Sequence, residues 1–105
     1  DIEVEILNGC GEPGVAAKFS EFLRDKRVDV VRSENADNFD YSTTILIQRN
    51  ENTEGLKYVA DALKFDTRNS NQVMISIDPE SDVDVTLIIG KDFNSIATVK
   101  SFLKN

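Results

Sequence analysis

The strand-like run "IEVEIL" leads into "GCGEPG", Gly9 to Gly14, which is followed by the helix-like run "VAAKFSEFLRDK". The three glycines have the G-x-G-x-x-G spacing of a dinucleotide-binding turn, where backbone N–H groups at a helix N-terminus hold a pyrophosphate. Glu34, about twenty residues on, occupies the place of the acid that binds the ribose in such folds. One hypothesis is therefore a small nucleotide-binding domain that uses the Gly9–Gly14 loop.

Three features of the loop argue against a nucleotide. Glu12 lies inside the loop, where its carboxylate would repel a pyrophosphate from the helix end. The loop contains no Lys or Arg, and Lys18 is the nearest cation. The second predicted strand also leads into another strand, so no doubly wound crevice is expected. The preferred interpretation is that the glycines permit a tight strand-to-helix turn and a close helix–sheet contact, and that no cofactor binds.

Other side chains suited to catalysis or metal binding are few. The chain has no histidine, the commonest general base and metal ligand. Its single cysteine, Cys10, has no histidine to activate it and is interpreted as a half-buried loop residue. The acidic run Asp78–Asp84 alternates as a calcium loop does, but Val83 and Ile89 replace the Gly and Glu that an EF-hand needs. We expect no catalytic residues, no metal site and no enzymatic activity.

Composition limits the possible partners. The 105 residues include 19 acidic and 12 basic ones, a formal net charge of −7. This charge argues against binding to nucleic acid or to an anionic membrane surface. No run approaches the roughly 18 apolar residues that a membrane span requires, so no direct insertion is expected. The length predicts one domain, 1–105, and the start inside a predicted strand suggests a fragment of a longer, anchored protein.

Hydrophobic periodicity predicts the order βα-ββα-ββ-α. Apolar patterning predicts strands at Ile2–Leu7, Val28–Glu34, Thr43–Gln48 and Gln72–Ile77, and the almost continuously apolar run Asp84–Gly90 predicts a central strand. The first helix is predicted to begin at Pro13 and the second to follow a cap at Asn50 or Asn52. A third, carrying Ile96, Val99 and Leu103, is predicted to close the chain.

This order predicts an α+β fold, a two-layer α/β sandwich with a ferredoxin-like layout. The mixed sheet is expected to have about four to five strands, with the helices mainly on one face. Polar residues at alternate strand positions, Glu3, Glu5 and Ser76, predict that the other face is comparatively open. We expect this face to be one surface through which the protein makes contacts.

Motifs at both ends of the chain resemble the C-terminal domain of LytR-type cell-envelope proteins. That family has a strand ending in Asn-Gly-x-Gly, a nearby Gly-x-Ala, a Thr-led third strand, and a terminal Asp-x-Thr-x-x-x-Gly-x-Asp. The matching positions are Asn8, Gly9, Gly11, Gly14, Ala16, Thr44, Asp84, Thr86, Gly90 and Asp92. The resemblance covers nearly the whole chain, and Cys10 stands where the family usually has Ser or Thr.

The resemblance implies a domain outside the bacterial cytoplasmic membrane, held there by an anchor or signal beyond this chain. Such domains are often attached to LytR-CpsA-Psr phosphotransferases, whose catalytic residues belong to a different domain. It therefore implies a non-enzymatic accessory or binding domain. A cell-wall glycopolymer or an envelope protein is the expected partner.

Two aromatic residues, Phe39 and Tyr41, lie in the polar segment "NADNFDYS", Asn35–Ser42. Aromatic rings among Asn and Asp suit the stacking and hydrogen bonding of a sugar ring. The simpler interpretation is that the pair attaches the loop to the core. The predicted binding residues comprise these two together with the motif positions Asn8, Gly9, Gly11, Gly14, Thr44, Asp84 and Asp92.

Overall fold

A computed structural model describes residues 1–96 of the protein. In chain order its elements are β1 (Glu3–Asn8), α1 (Val15–Asp25), β2 (Asp29–Asn35), β3 (Ile45–Gln48), α2 (Thr53–Leu63), β4 (Val73–Ile75), β5 (Val85–Ile89) and a 3₁₀ turn at Phe93–Ser95. The predicted order of strands and of the first two helices is confirmed. The third predicted helix, with Val99 and Leu103, lies outside the described residues.

The five strands form one mixed sheet in the order β2-β1-β5-β3-β4. Strand β1 is parallel to both β2 and β5, β3 is antiparallel to β5, and β4 is parallel to β3. The two-layer α/β sandwich is therefore confirmed. Each βαβ unit pairs its two strands side by side, whereas the split unit of a ferredoxin-like fold has another strand between them.

The core lies between the sheet and the two helices. Alternate residues of the central strands β1 and β5 are fully buried: Val4, Ile6, Val85, Leu87 and Ile89. Phe19 and Leu23 of α1 and Val59 and Leu63 of α2 belong to the same cluster. Apolar residues recur at every second position in the strands and about every 3.6 positions in the helices. Both sets face this side of the sheet, as the sequence pattern predicts.

The opposite face of the sheet carries an ion-pair network. Glu5 Oε1 lies 3.1 Å from Arg32 Nη2, and the Thr86 hydroxyl donates to Glu5 Oε2 at 2.7 Å. Arg32 also pairs with Asp82 at 2.7 Å, and hydrogen bonds to Asp82 and Glu5 raise its pKa further above its already high ordinary value. Glu5 is therefore satisfied within the molecule and is not a free acid on an open face.

The two helices differ in the residue that precedes their first turn. Asn52 caps α2, since its side-chain oxygen accepts a hydrogen bond from Gly55 N–H at 2.9 Å, as one of the two predicted caps. The prediction that Pro13 occupies the first position of α1 is wrong. Gly14, with φ +79°, precedes the helix, and its left-handed conformation separates Pro13 from the first helical residue, Val15.

The predicted third strand is shortened at its start by a side-chain contact. Strand β3 begins at Ile45, because the backbone N–H of Thr44 donates to the Asp92 carboxylate and not to a neighbouring strand. At the same point a Cβ on Gly90 would lie 2.4 Å from the carbonyl carbon of Thr43. Glycine at position 90 is therefore required by a close backbone approach.

We predict that Gly90→Ala lowers the free energy of unfolding by about 3 kcal/mol, the upper end of the cost of overpacking, because backbone atoms must move. Gly14→Ala is the matched control, since a Cβ there meets nothing within 4 Å and only its positive φ is unfavourable. That control should lose about 1 kcal/mol. Urea denaturation of both variants measures the difference. Equal losses would show that the approach of Thr43 does not require this glycine.

Candidate functional site

The candidate site lies at the carboxyl ends of the parallel strands β1, β2 and β5, called here the carboxyl edge. Ligands of open α/β sheets bind outside this edge, where loops from neighbouring strands meet. The loops that follow these strands are 9–14, 36–44 and 90–92. All the predicted binding residues except Asp84 lie at this edge or in these loops, and Asp84 lies at the opposite end of β5.

The side chain of Asn8 organises the glycine loop from within. Its Oδ1 accepts hydrogen bonds from Cys10 N–H at 3.1 Å and Gly11 N–H at 2.9 Å. Its Nδ2 donates to the carbonyl oxygen of Glu12 at 3.0 Å, and Asn8 is only 7% exposed. Two of the amides that a dinucleotide loop would direct at phosphate are therefore used internally, which argues against the nucleotide hypothesis.

Tyr41 attaches the loop after β2 to the glycine loop. Its N–H donates to the carbonyl of Gly9 at 3.1 Å, and its carbonyl accepts from Lys91 N–H at 2.8 Å. A Cβ on Gly9 would lie 2.7 Å from the Tyr41 ring, so this ring needs a glycine beneath it. The phenol donates to Asp37 at 2.7 Å, and this bond raises the pKa of Tyr41. Tyr41 therefore has the anchoring role of the simpler interpretation.

Phe39, two residues earlier, is 45% exposed. Its ring lies against Gly11, where an added Cβ would be 3.3 Å from Phe39 Cγ. Gly11 has φ +82°, which favours glycine as well. The neighbours Asn38 and Asp40 are exposed and polar. One aromatic of the pair thus holds the loop, and the other presents a supported ring to solvent.

Thr44 and Asp92 satisfy each other. Asp92 Oδ1 accepts from the Thr44 N–H at 2.8 Å and from the Thr44 hydroxyl at 2.7 Å. The hydroxyl oxygen in turn accepts from Gly90 N–H at 2.9 Å, and Thr44 is 1% exposed. This pair joins the end of β5 to the start of β3.

Asp84 has a similar role at the opposite end of β5. Its carboxylate accepts from Glu3 N–H at 2.8 Å and from the Asn50 side chain at 2.9 Å. Burial raises the pKa of Asp84, but these hydrogen bonds outweigh it and hold the pKa below the usual range for Asp. Asp84 therefore connects the starts of β5 and β1. Its partner Asn50, predicted as a helix cap, belongs to this connection.

Two adjoining grooves lie beside the glycine loop at the carboxyl edge. One, of about 310 Å³, is lined by Cys10, Gly11, Glu12, Pro13, Lys91 and Phe93. The other, of about 250 Å³, is lined by Glu12, Pro13, Val15, Lys18, Phe93 and Asn94. Sequence reasoning missed Lys91, Phe93 and Asn94 as lining residues. These residues directly follow the fifth predicted strand, and this position in the sequence could have indicated that they lie at the carboxyl edge.

Within residues 1–96, no three or more His, Cys, Asp or Glu side chains are grouped closely enough to hold a metal ion. None of the helices in this part of the chain is long and apolar enough to cross a membrane. The Cys10 thiol is half-buried and contacts Asn8 Oδ1 at 3.5 Å. In the acidic turn, Asp78 pairs with Arg49 at 3.4 Å and Asp82 with Arg32.

We predict that Asp84→Asn lowers the free energy of unfolding at pH 7 by about 1–2 kcal/mol, because one hydrogen bond to the half-buried carboxylate is lost. The folded pKa is depressed, so the carboxylate stabilises the protein fully above the unfolded pKa of about 4. That contribution disappears as the pH falls through the folded pKa. Denaturant titrations from pH 2 to 8 should show the difference between wild type and variant narrowing below about pH 4.

Glu54→Gln is the control for this measurement, since Glu54 lies on α2 with its side chain 89% exposed. Its stability should follow that of the wild type at every pH. A wild-type advantage over Asp84→Asn that persists unchanged at pH 2 would contradict the role given to the carboxylate.

Comparison with solved structures finds the soluble domain of a conserved hypothetical secreted protein from Mycobacterium marinum. It superposes with a TM-score of 0.61 and 18% sequence identity, over 89% of this chain. This chain covers 61% of that structure. At this identity the likeness shows the fold alone, and it agrees with the two-layer sandwich. Among curated proteins, the comparison finds no match.

A family model described as LytR cell envelope-related transcriptional attenuator matches residues 1–93. The match includes every motif position from Asn8 to Asp92 on which the resemblance depends. Four of these positions, Asn8, Thr44, Asp84 and Asp92, make the hydrogen bonds that connect the loops of the carboxyl edge and the two ends of β5. Because the match covers most of the 105 residues, the chain belongs to the LytR_C family of cell-envelope accessory domains.

Proposed function

We propose that the protein is an extracytoplasmic accessory domain that binds a cell-wall glycopolymer by contact, without turnover and without a cofactor. Membership of a cell-envelope family supports the location and the accessory role. The motif residues that could have served a catalytic centre are engaged in internal hydrogen bonds. The function therefore depends on exposed side chains around the carboxyl edge.

The observation that carries this proposal is the exposed ring of Phe39. An aromatic ring binds the C–H face of a sugar, and a ring already held in place loses little conformational entropy on binding. Gly11 supports the Phe39 ring from below, and the anchored Tyr41 restrains the same loop. The exposed neighbour Asp40 adds a carboxylate acceptor for sugar hydroxyls, whereas Asn38 Oδ1 accepts from the Asp40 N–H and helps to hold the loop.

The charge of the protein selects among wall polymers. A net charge of −7 repels polyanions at moderate ionic strength. Asp37 and Asp40 flank Phe39 and add negative charge at the contact itself. Uncharged or cationic glycans are therefore favoured over phosphate-rich polymers.

A protein partner is the second candidate, and a different surface favours it. The edge strand β4 and its extension expose Met74, Ile75 and Ile77 by 43%, 68% and 48%. The other edge, β2, carries charged side chains and a register irregularity, features that block strand pairing. An extended segment of an envelope protein could add to the β4 edge as a further strand.

We predict that the domain co-sediments with purified peptidoglycan sacculi that retain their attached glycopolymers, and that Phe39→Ala weakens this retention by about tenfold, the scale of one aromatic contact. Tyr58→Ala is the matched control, because Tyr58 is 46% exposed on α2, away from the carboxyl edge. Its retention should equal that of the wild type. Thermal melts of each variant check that folding is intact.

Equal retention of Phe39→Ala and wild type would contradict the contact through Phe39. Failure of the folded wild type to bind sacculi with their polymers attached would contradict the glycopolymer function itself. Loss of a protein partner in Ile75→Lys, with sacculus binding absent, would favour the second candidate.

A further inference from the structure

The two grooves at the carboxyl edge adjoin, since Glu12, Pro13 and Phe93 line both of them, and together they are called here the Pro13–Phe93 trough. The grooves measure about 310 and 250 Å³, close to the lower size of small-ligand sites. The trough is set in a rigid frame. The glycine loop on one side is held by Asn8, and Lys91 on the other is bonded through its N–H to Tyr41.

The lining of the trough combines an apolar surface with hydrogen-bonding groups of both kinds. Phe93 and Pro13 supply ring surfaces, and Phe93 itself packs against the core. Glu12 is exposed and presents a carboxylate acceptor, and Lys91 is exposed and presents an ammonium donor. Asn94 adds an amide with both functions at the other end. A separate groove beside Thr44 also combines a ring, an acid and a base in Phe65, Asp92 and Lys64, but its Asp92 carboxylate already accepts two hydrogen bonds from Thr44.

This combination matches the chemistry of an uncharged sugar. One face of a pyranose ring carries C–H groups that pack on Phe93 and Pro13, as amphipathic groups pack on aromatic rings. Neighbouring hydroxyls both donate and accept, so one can donate to Glu12 while the next accepts from Lys91. Two cations, Lys91 and Lys18, and one acid, Glu12, line the trough, so it is the net charge of −7 on the whole protein that disfavours a polyanion.

We propose that the Pro13–Phe93 trough is a binding subsite for two consecutive uncharged sugar units, one in each groove. This inference rests on the proposed glycopolymer function and names the class of sugar that the site takes. The trough adjoins the Phe39 surface, since Gly11 lines the trough and also supports the Phe39 ring. A polymer chain that stacks on Phe39 therefore continues across Gly11 into the trough.

The test uses isotope-labelled protein titrated separately with chitotriose, cellotriose and galactotriose, followed by amide chemical shifts. At least one of these uncharged trisaccharides should shift the amides of Gly11, Glu12, Lys91, Phe93 and Asn94 in a saturable way. Glycerol phosphate polymer at equal sugar-unit concentration should bind at least tenfold more weakly. If none of the three trisaccharides shifts these amides, the inference is overturned.

Two polar variants test the lining without disturbing the core. Glu12→Gln and Lys91→Met should each weaken the bound trisaccharide by about three- to tenfold, the effect of one hydrogen bond to a charged group. Lys57→Met and Glu54→Gln, exposed on α2, are the matched controls and should leave binding unchanged. Phe93→Ala should weaken binding by about tenfold where melting shows that it folds.

The outcomes separate this inference from the broader function. In one outcome, the trough variants bind trisaccharide as well as the wild type does, and the protein still binds sacculi. This outcome overturns the trough as the binding subsite but does not contradict the glycopolymer function. Saturable trisaccharide binding in the trough, with no retention on sacculi, supports the trough and contradicts the wall polymer as the partner.

Discussion

The fold depends on how its last described strand is held. Strand β5 is the last strand along the described chain, yet it lies between β1 and β3, and all five of its residues are buried. Neither neighbour is joined to β5 by a short turn, so side chains at both of its ends hold it in place. At its start, Asp84 accepts from the backbone of Glu3. At its end, Asp92 binds Thr44, and Gly90 allows the Thr43 backbone to approach.

This constraint explains why the family motif has its particular residues. Asn8, Thr44, Asp84 and Asp92 have side chains that reach backbone N–H groups which lack a partner in the sheet ladder. A buried N–H without a partner costs more than its hydrogen bond contributes, so small polar side chains at these points are strongly selected by the fold itself. These motif residues therefore connect strand ends and loops to one another. In the function proposed above, contacts with a partner are made by residues outside the motif, such as Phe39, Glu12 and Phe93.

The sequence predicts the elements of this fold better than their arrangement. Local alternation identifies each strand, and the continuous apolar run at Val85–Ile89 indicates a central one. The position of β5 beside β1 depends on contacts about eighty residues apart, which no local pattern reports. Phe39 and Tyr41 share one polar loop and look equivalent in sequence. Only the packing of Tyr41 over Gly9 and of Phe39 on Gly11 separates an anchor from an exposed surface.

The hydrogen bonds that connect these loops also determine how the carboxyl edge can bind a ligand. Because Asn8, Tyr41 and Thr44 hold the loops in one arrangement, little ordering entropy is lost when a ligand binds. The grooves are open to solvent, so we expect a single contact with a sugar unit to be weak. In the function proposed above, the wall polymer repeats its units, so that a second contact on the same polymer occurs at high effective concentration. A rigid, shallow site would then retain the polymer through repeated contacts, which suits the proposed accessory role better than a deep pocket would.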